Sequence, residues 1–303
     1  MEFATVGSLV DSDVFTTNER DKTLTLFDFK TQVQQFINYD QRKPIFPIFV
    51  LRREWTIFTV FFGIWDLLEY TSMEKADALH AIDRSIESLL HTLDILAEHV
   101  GIPIKVVIPK VVDVTFLPRF QLRRNYSSGV FAHDQHQSVF LWTYWNTVLS
   151  QKTAEWGRGH LYMPDLNGIV MNEIKANQFY TRHISDAAGT GKQTPPFDEV
   201  ETPCLSVMPN AAVEKCFDPA RYLFWLVKSM YKRILSAQPD NRDDVRLSGS
   251  VNVLIGREAA RLVRENTTVN IDARERAMQG TVMCQKTDAK STSGFILKLP
   301  PEF

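Results

Sequence analysis

The feature that most restricts how this chain folds is an alternation. Short β-branched or aromatic runs are each followed by a long stretch with apolar residues three and four apart. Residues 56–62 form one such run, stopped by Gly63. Leu79, Ile82, Ile86, Leu89, Leu90, Leu93 and Leu96 then repeat at helix spacing, and Gly101 ends the pattern. Thr71 or Ser72 is the expected cap of that helix, which should run over 72–99. A second run, 104–108, is closed by Pro109 and followed by a helix over 133–154. A third, 161–163, leads through Pro164-Asp165-Leu166-Asn167 into a helix over 168–179. Parallel strands cannot be joined by a tight turn and need a crossover, so this order predicts a parallel sheet with helices on both faces.

Weaker patterns complete the outline. Residues 3–6 read as a strand ending at Gly7, and Phe29, Val33, Phe36 and Ile37 mark a helix over 27–37. The stretch 183–203 is rich in Gly, Pro, Thr and Asp and reads as a loop, and the last clear helix spans 251–263. Residues 1–265 thus read as one α/β domain, and 266–303 as a polar, loosely packed tail.

Composition excludes several classes. Lys plus Arg is 34 against Asp plus Glu at 36, a net charge of -2, so no basic excess points to nucleic acid. The most apolar run, 55–65, is too short to cross a bilayer, and no membrane span is expected. The start Met1-Glu2-Phe3-Ala4 has neither the charge nor the apolar stretch of a secretion leader, which points to the cytoplasm, or to secretion if the natural N-terminus is longer. Asn125-Tyr126-Ser127 and Asn266-Thr267-Thr268 match glycosylation acceptors but, without a leader, read as chance matches. The three cysteines include no C-x-x-C pair, so no structural zinc is expected. Cys204 and Cys216 flank a short loop and read either as a disulfide or as free thiols. His133 and His136, near Asp134, read as helix-surface residues rather than ligands, because a metal would need more donors. No cofactor is expected.

Ligands of parallel sheets bind beyond the carboxyl ends of the strands. The residues there are Gly7-Ser8, Gly63-Ile64-Trp65-Asp66, the loop 109–113 and Pro164 to Asn167. These strand ends carry a resemblance. Phe3-Ala4-Thr5-Val6-Gly7-Ser8 is similar to the second block of the SGNH (GDSL-type) hydrolase-like family, whose glycine lends an N–H to the oxyanion hole. Phe62-Gly63-Ile64-Trp65-Asp66 resembles the third block, usually Gly-x-Asn-Asp. Tyr222-Leu223-Phe224-Trp225, with Leu247-Ser248-Gly249 downstream, resembles the last, which carries Trp-Asp-x-x-His. Tyr144-Trp145-Asn146 and Pro164-Asp165-Leu166-Asn167 resemble fungal branches of the family. The likeness spans residues 3–265 and implies a flavodoxin-like, three-layer αβα fold of SGNH type, here with the first family strand missing.

The departures decide the chemistry that this resemblance implies. The family's Gly-Asp-Ser block with the nucleophile is absent, and its strand would lie in the middle of the sheet. Either that piece belongs to a longer protein, or the gap closes by direct pairing or with a partner, such as a second copy. In the last block Leu226 follows Trp225, and 226–242 has no family counterpart. Without 226–242 the sequence reads Trp225-Asp243-Asp244-Val245-Arg246-Leu247-Ser248-Gly249, with Arg246 in the histidine's place. The extra segment is either an inserted loop or a retained intron. Arg246 cannot act as a base, because its guanidinium stays protonated. Trp65 replaces the asparagine that donates to the oxyanion, and losing one such donor costs roughly 3 kcal/mol. Losing nucleophile and base together removes about 10⁶-fold in a serine protease.

Each candidate residue has a plainer alternative. Trp65 and Asp66 either line a pocket or serve as core and cap. Asp243 is either a surviving triad acid or a solvated loop residue, and Arg246 either holds an anionic or carbonyl group or is a surface charge. Phe140, Trp142, Tyr144 and Trp145 wrap a helix, so some are core, while Trp142 or Tyr144 can face a pocket. The pocket set is completed by Asp165, Asn167, Tyr222 and Trp225. Three functions fit this picture. The first is a repurposed, non-hydrolytic scaffold that binds a small apolar metabolite and catalyses a cyclisation or pericyclic step in secondary metabolism, since such reactions need orientation rather than a nucleophile. The second is an esterase of acyl or carbohydrate esters, seen as an incomplete chain. The third is a non-catalytic binding or interaction protein.

Overall fold

A computed structural model of the chain describes residues 9–10, 28–41, 55–121, 128–184, 193–207, 214–228 and 246–269. The expected strand over 3–6, Gly7, Ser8, Asn125, Asp243, residues 229–245 and residues 270–303 lie outside the described residues.

The architecture is mixed α/β. Strands β1 (Ile57–Thr59), β2 (Ile104–Val107) and β3 (Gly159–Tyr162) form a parallel sheet in the order β1-β2-β3. Phe58 pairs with Val106, and Val106 with Leu161. Helix α1 (Phe29–Gln41) precedes the sheet, and α2 (Ile64–Tyr70) with α3 (Lys75–Val100) connects β1 to β2. The short α4 (Pro118–Gln121) and the long α5 (Ser128–Glu155) connect β2 to β3, and α6 (Leu166–Thr181) follows.

β2 shows why this sheet forms. Ile104, Val106 and Val107 are all nearly inaccessible, the continuous apolar pattern of a parallel strand covered on both faces. Val106 and Leu161 join the main core with Ile82, Leu89 and Leu93 of α3 and Trp145 and Leu149 of α5. On the other face, Val107 and Tyr162 meet Leu262 of the last helix, α7 (Gly249–Arg264). That second cover does not reach β1, where Ile57 is 44% and Phe61 43% exposed.

A second sheet has the order β5-β4-β6-β7, built from β4 (Glu199–Val207), β5 (Glu214–Lys215), β6 (Tyr222–Lys228) and β7 (Arg246–Leu247). β4 and β6 are parallel, and the two short outer strands are antiparallel to them. Phe197, Val200, Leu223 and Phe224 join this sheet to the main core. Cys204 and Cys216 are joined by a disulfide with a Cα–Cα distance of 4.9 Å, so the first of the two readings of this pair is the one observed.

Two local expectations need correction. The loop expected over 183–203 contains the start of β4. Its Pro203 sits where the β4–β6 register shifts, a position that tolerates the missing N–H. The helix expected from residue 71 or 72 starts at Lys75. Thr71 and Ser72 instead donate their hydroxyls to Leu68 and Glu69 carbonyls at 2.8 and 2.7 Å, closing the separate helix α2. Gly101 does end α3, in the left-handed conformation at φ 74° that glycine adopts without strain. Beyond α7 the chain turns back on the first sheet, where the Val269 N–H donates to the Leu161 carbonyl at 2.9 Å. No described helix is long and apolar enough to cross a membrane.

Candidate functional site at the carboxyl ends of the parallel strands

The end of β1 is a tight turn that only glycine fits. Gly63 has φ 107°, and a Cβ there would lie 2.7 Å from Trp145 Cζ2 and 2.8 Å from Val111 Cγ2. This close approach lets α2 start at once, with the Leu67 N–H donating to the Gly63 carbonyl at 2.9 Å. Trp65 is 8% exposed and Asp66 fully buried. The Asp66 carboxylate accepts the Val10 N–H at 3.1 Å, a contact between residues 56 apart in sequence. Leu9 and Val10, the residues just after Gly7-Ser8, are therefore packed beside the Gly63–Asp66 turn, each 1% exposed. The indole N–H of Trp145 is buried there without a hydrogen-bond partner among the described residues. Such a group costs about 1–3 kcal/mol against a bonded one.

The end of β2 is held by side chains of α5. Asn146 accepts the Val111 N–H and donates to the Val111 carbonyl, both at 2.9 Å. The Trp142 indole N–H donates to the same carbonyl at 2.7 Å. The carbonyl's two lone pairs are thereby filled, and the loop cannot shift without breaking both bonds. The Lys110 N–H donates to Pro164, and the Asp113 N–H donates to the Asn167 side chain at 3.1 Å, tying the β2 and β3 ends together. Asp113 is 6% exposed. Burial pushes its carboxyl above the usual carboxylate range, and its hydrogen bond from Thr115 partly offsets that. Asp165 is exposed and caps α6 by accepting the Gly168 N–H at 3.0 Å.

Between these anchors and the solvent lies an open groove of about 410 Å³, lined by Lys110, Trp142, Thr143, Asn146, Thr147, Ser150 and Gln151. It could hold a small molecule against the Trp142 ring, with Lys110 as a cationic donor.

The described residues expected at one site are spread over several places. Gly63, Trp65 and Asp66 share the β1 end with Leu9 and Val10. Trp142 lies in the groove, with Asn167 behind it in the loop network. Tyr222 and Trp225, half-buried on β6, and Arg246 on β7 belong to the second sheet. There the register sets Leu226 opposite Arg246, so the two halves of the interrupted last block are antiparallel neighbours. Ser248 caps α7, and its N–H donates to Leu223 at 3.0 Å. Tyr144 points elsewhere, its hydroxyl donating to Asp83 of α3 at 3.0 Å.

Asn146 escaped the sequence reading as a site residue, and Lys110 and Asp113 entered it only as members of the 109–113 loop. The signal was faint: an amide inside an aromatic helix stretch, opposite a loop whose backbone needed partners. His133 and His136 are exposed on α5. No group of three or more metal-capable side chains occurs among the described residues. His99 bonds to Asp40 at 2.9 Å, and no hydroxyl or thiol is hydrogen-bonded to a histidine among the described residues. No protein-family model and no curated protein matches this sequence.

Proposed function

We propose that this chain is a repurposed SGNH-like protein with a flavodoxin-like sheet. It binds a small apolar molecule beyond the carboxyl ends of its parallel strands and does not hydrolyse esters. The observation that carries this reading is the groove beside Trp142 and Lys110, next to the β2 end. An aromatic ring and threonine methyls supply apolar contact, and the lysine supplies one polar contact that orients the ligand. A site of this kind suits a cyclisation or pericyclic step, in which holding one reactive conformer lowers the barrier.

Two contacts favour the family resemblance. Asp66 joins the third-block turn to the segment that follows the second block. The β6–β7 pair sets the halves of the last block side by side. Two features disfavour hydrolysis. Trp65, standing where the family has its oxyanion asparagine, is buried in the core. Arg246, standing where the family has its base, cannot take a proton.

The test has two arms. The purified chain is assayed with short-chain p-nitrophenyl esters and a serine-reactive phosphonate, and no turnover and no labelling are expected. Small apolar metabolites are then screened for a rise in Tm, which Thr147→Trp should abolish by filling the groove from an exposed helix position. Ester turnover with covalent labelling would return the protein to the esterase reading. Tm shifts that survive Thr147→Trp would remove the groove from the proposal.

A second reading, an interaction protein that pairs with another copy through its sheet, is favoured by β1. Among the described residues this strand pairs only with β2. Trp55, Ile57 and Phe61, which alternate along one face, are 82%, 44% and 43% exposed. Sedimentation at rising concentration decides it, since a monomer throughout would end that reading.

A further inference from the structure

We propose that Asn266 is an N-glycosylation site and that the chain is built to fold in an oxidising, membrane-enclosed compartment. The sequence Asn266-Thr267-Thr268 alone is weak evidence, because such triplets occur by chance. The structure adds three independent features.

The first is the position of the residue. The Thr267 N–H donates to the Leu262 carbonyl at 2.9 Å and the Asn266 N–H to the Val263 carbonyl at 3.2 Å. These two bonds form a Schellman closure of α7, with Asn266 as the left-handed residue at φ 50°. The chain reverses there, so Asn266 stands exposed at the helix end. A branched sugar attached to it would meet solvent rather than core.

The second is the state of its amide. Oδ1 accepts the hydroxyl of Tyr162 at 3.1 Å, while Nδ2 makes no hydrogen bond among the described residues. N-glycosylation replaces one hydrogen on Nδ2 and leaves Oδ1 as an acceptor. The modified side chain therefore keeps its bond to Tyr162 and loses no other.

The third is the Cys204–Cys216 disulfide, far from Asn266 in sequence. Structural disulfides persist where the surroundings are oxidising, and the same compartments carry out N-glycosylation.

The reaction needs a sugar donor, an oligosaccharide carried on a lipid diphosphate. The Asn266 Nδ2 bonds to the anomeric carbon, the bond from that carbon to the diphosphate oxygen breaks, and the diphosphate leaves with the electron pair. The proton lost from Nδ2 is taken up by a base of the transferring enzyme, and the lipid diphosphate departs as the anion.

The full chain is expressed in a eukaryotic cell behind a cleavable secretion leader. Tryptic peptides are treated with an N-glycan amidase in heavy-oxygen water, which marks each formerly glycosylated asparagine. The peptides are read from the medium and from the membrane-enclosed fraction alike, so a chain that fails to leave the cell still reports. Thiols are blocked before digestion to map Cys204 and Cys216. The expected result is Asn266 marked in most molecules and Cys204 linked to Cys216. Thr268→Val should abolish the mark while leaving Asn266 and its helix closure in place. Asn266→Gly, which keeps the left-handed turn, should remove the same increment of mass from the intact protein. An unmarked Asn266 in disulfide-bonded protein would overturn the glycan site. Free thiols at Cys204 and Cys216 in the same sample would overturn the oxidising-compartment half.

Discussion

The two sheets are held in different ways. In the first, β1-β2-β3, the strands are short and almost every β2 side chain is buried, so packing against α3, α5 and α7 fixes their positions. In the second, Val200 of β4 and Leu223 and Phe224 of β6 reach the core. Covalent and polar ties complete it: the Cys204–Cys216 disulfide across β4 and β5, and an ion pair between Arg221 and Asp198 at the start of β6. That pair is exposed, and the guanidinium holds the Asp198 carboxyl below its usual range. The difference shows where rigidity is available for function. The carboxyl ends of the buried sheet carry the loop clamps of Asn146 and Trp142, whereas the second sheet is a cross-linked flank.

Changes at four places separate the two modes. The largest effect is expected from Gly63→Ala. Its new methyl would meet Trp145 and Val111 under 3 Å, and its φ is unfavourable for any residue with a Cβ. Overpacking and left-handed strain together should cost about 3 kcal/mol or more, read as a fall in the denaturant midpoint. An unchanged midpoint would show that the β1 end is looser than its packing implies.

The double variant Cys204→Ala, Cys216→Ala removes a cross-link between residues 12 apart in sequence. The chain-entropy cost is about 3 kcal/mol or less. Because the second sheet depends on that tie, hydrogen exchange should rise in β4 and β5 while the amides of β2 stay protected. A uniform rise in both sheets would erase the distinction between them.

Asn146→Ala removes both bonds to Val111 and should cost about 2 kcal/mol, since a buried N–H loses its partner. It should also weaken any ligand bound beside Trp142. Asn146→Asp keeps the acceptor and loses the donor, so its denaturant midpoint should fall between those of the parent and Asn146→Ala.

The smallest effect concerns pH. Asp113 has a raised pKa from burial, so the unfolded chain releases that proton first. As pH rises from the ordinary carboxylate range through the raised folded value, the folded state holds more protons and stability falls. Asp113→Asn keeps an oxygen to accept the Thr115 N–H and should flatten that decline. A stability profile identical to the parent's would mean that Asp113 ionises normally in the folded chain.

Much of the first sheet was legible in the sequence because its signals are local. Apolar spacing marked α3, a β-branched run marked β2, and Gly101 marked a helix end. The misreadings share one cause. Glu199 to Pro203 looks like loop because it is polar and contains proline, but pairing with β6 supplies hydrogen bonds that no local pattern reveals. Thr71 and Ser72 looked like N-caps because their hydroxyls can accept, yet here they donate backwards to α2. Within the candidate site, Gly63 was readable as a strand stop. Asn146 was not, because an amide in a helix shows its role only when the opposite loop is present.

Local chemistry along the chain was thus sufficient for the alternation of strands and helices, the parallel pairing it requires, and the tight turn after β1. These follow from side-chain shape and backbone hydrogen-bonding demands, which act over a few residues. Through-space contacts settled the rest: that Cys204 meets Cys216, that Asp66 reaches Val10, and that Asn146 and Trp142 converge on one carbonyl of Val111. Each joins groups brought together only when the chain folds back on itself, so no window of sequence contains both partners in their bonded geometry.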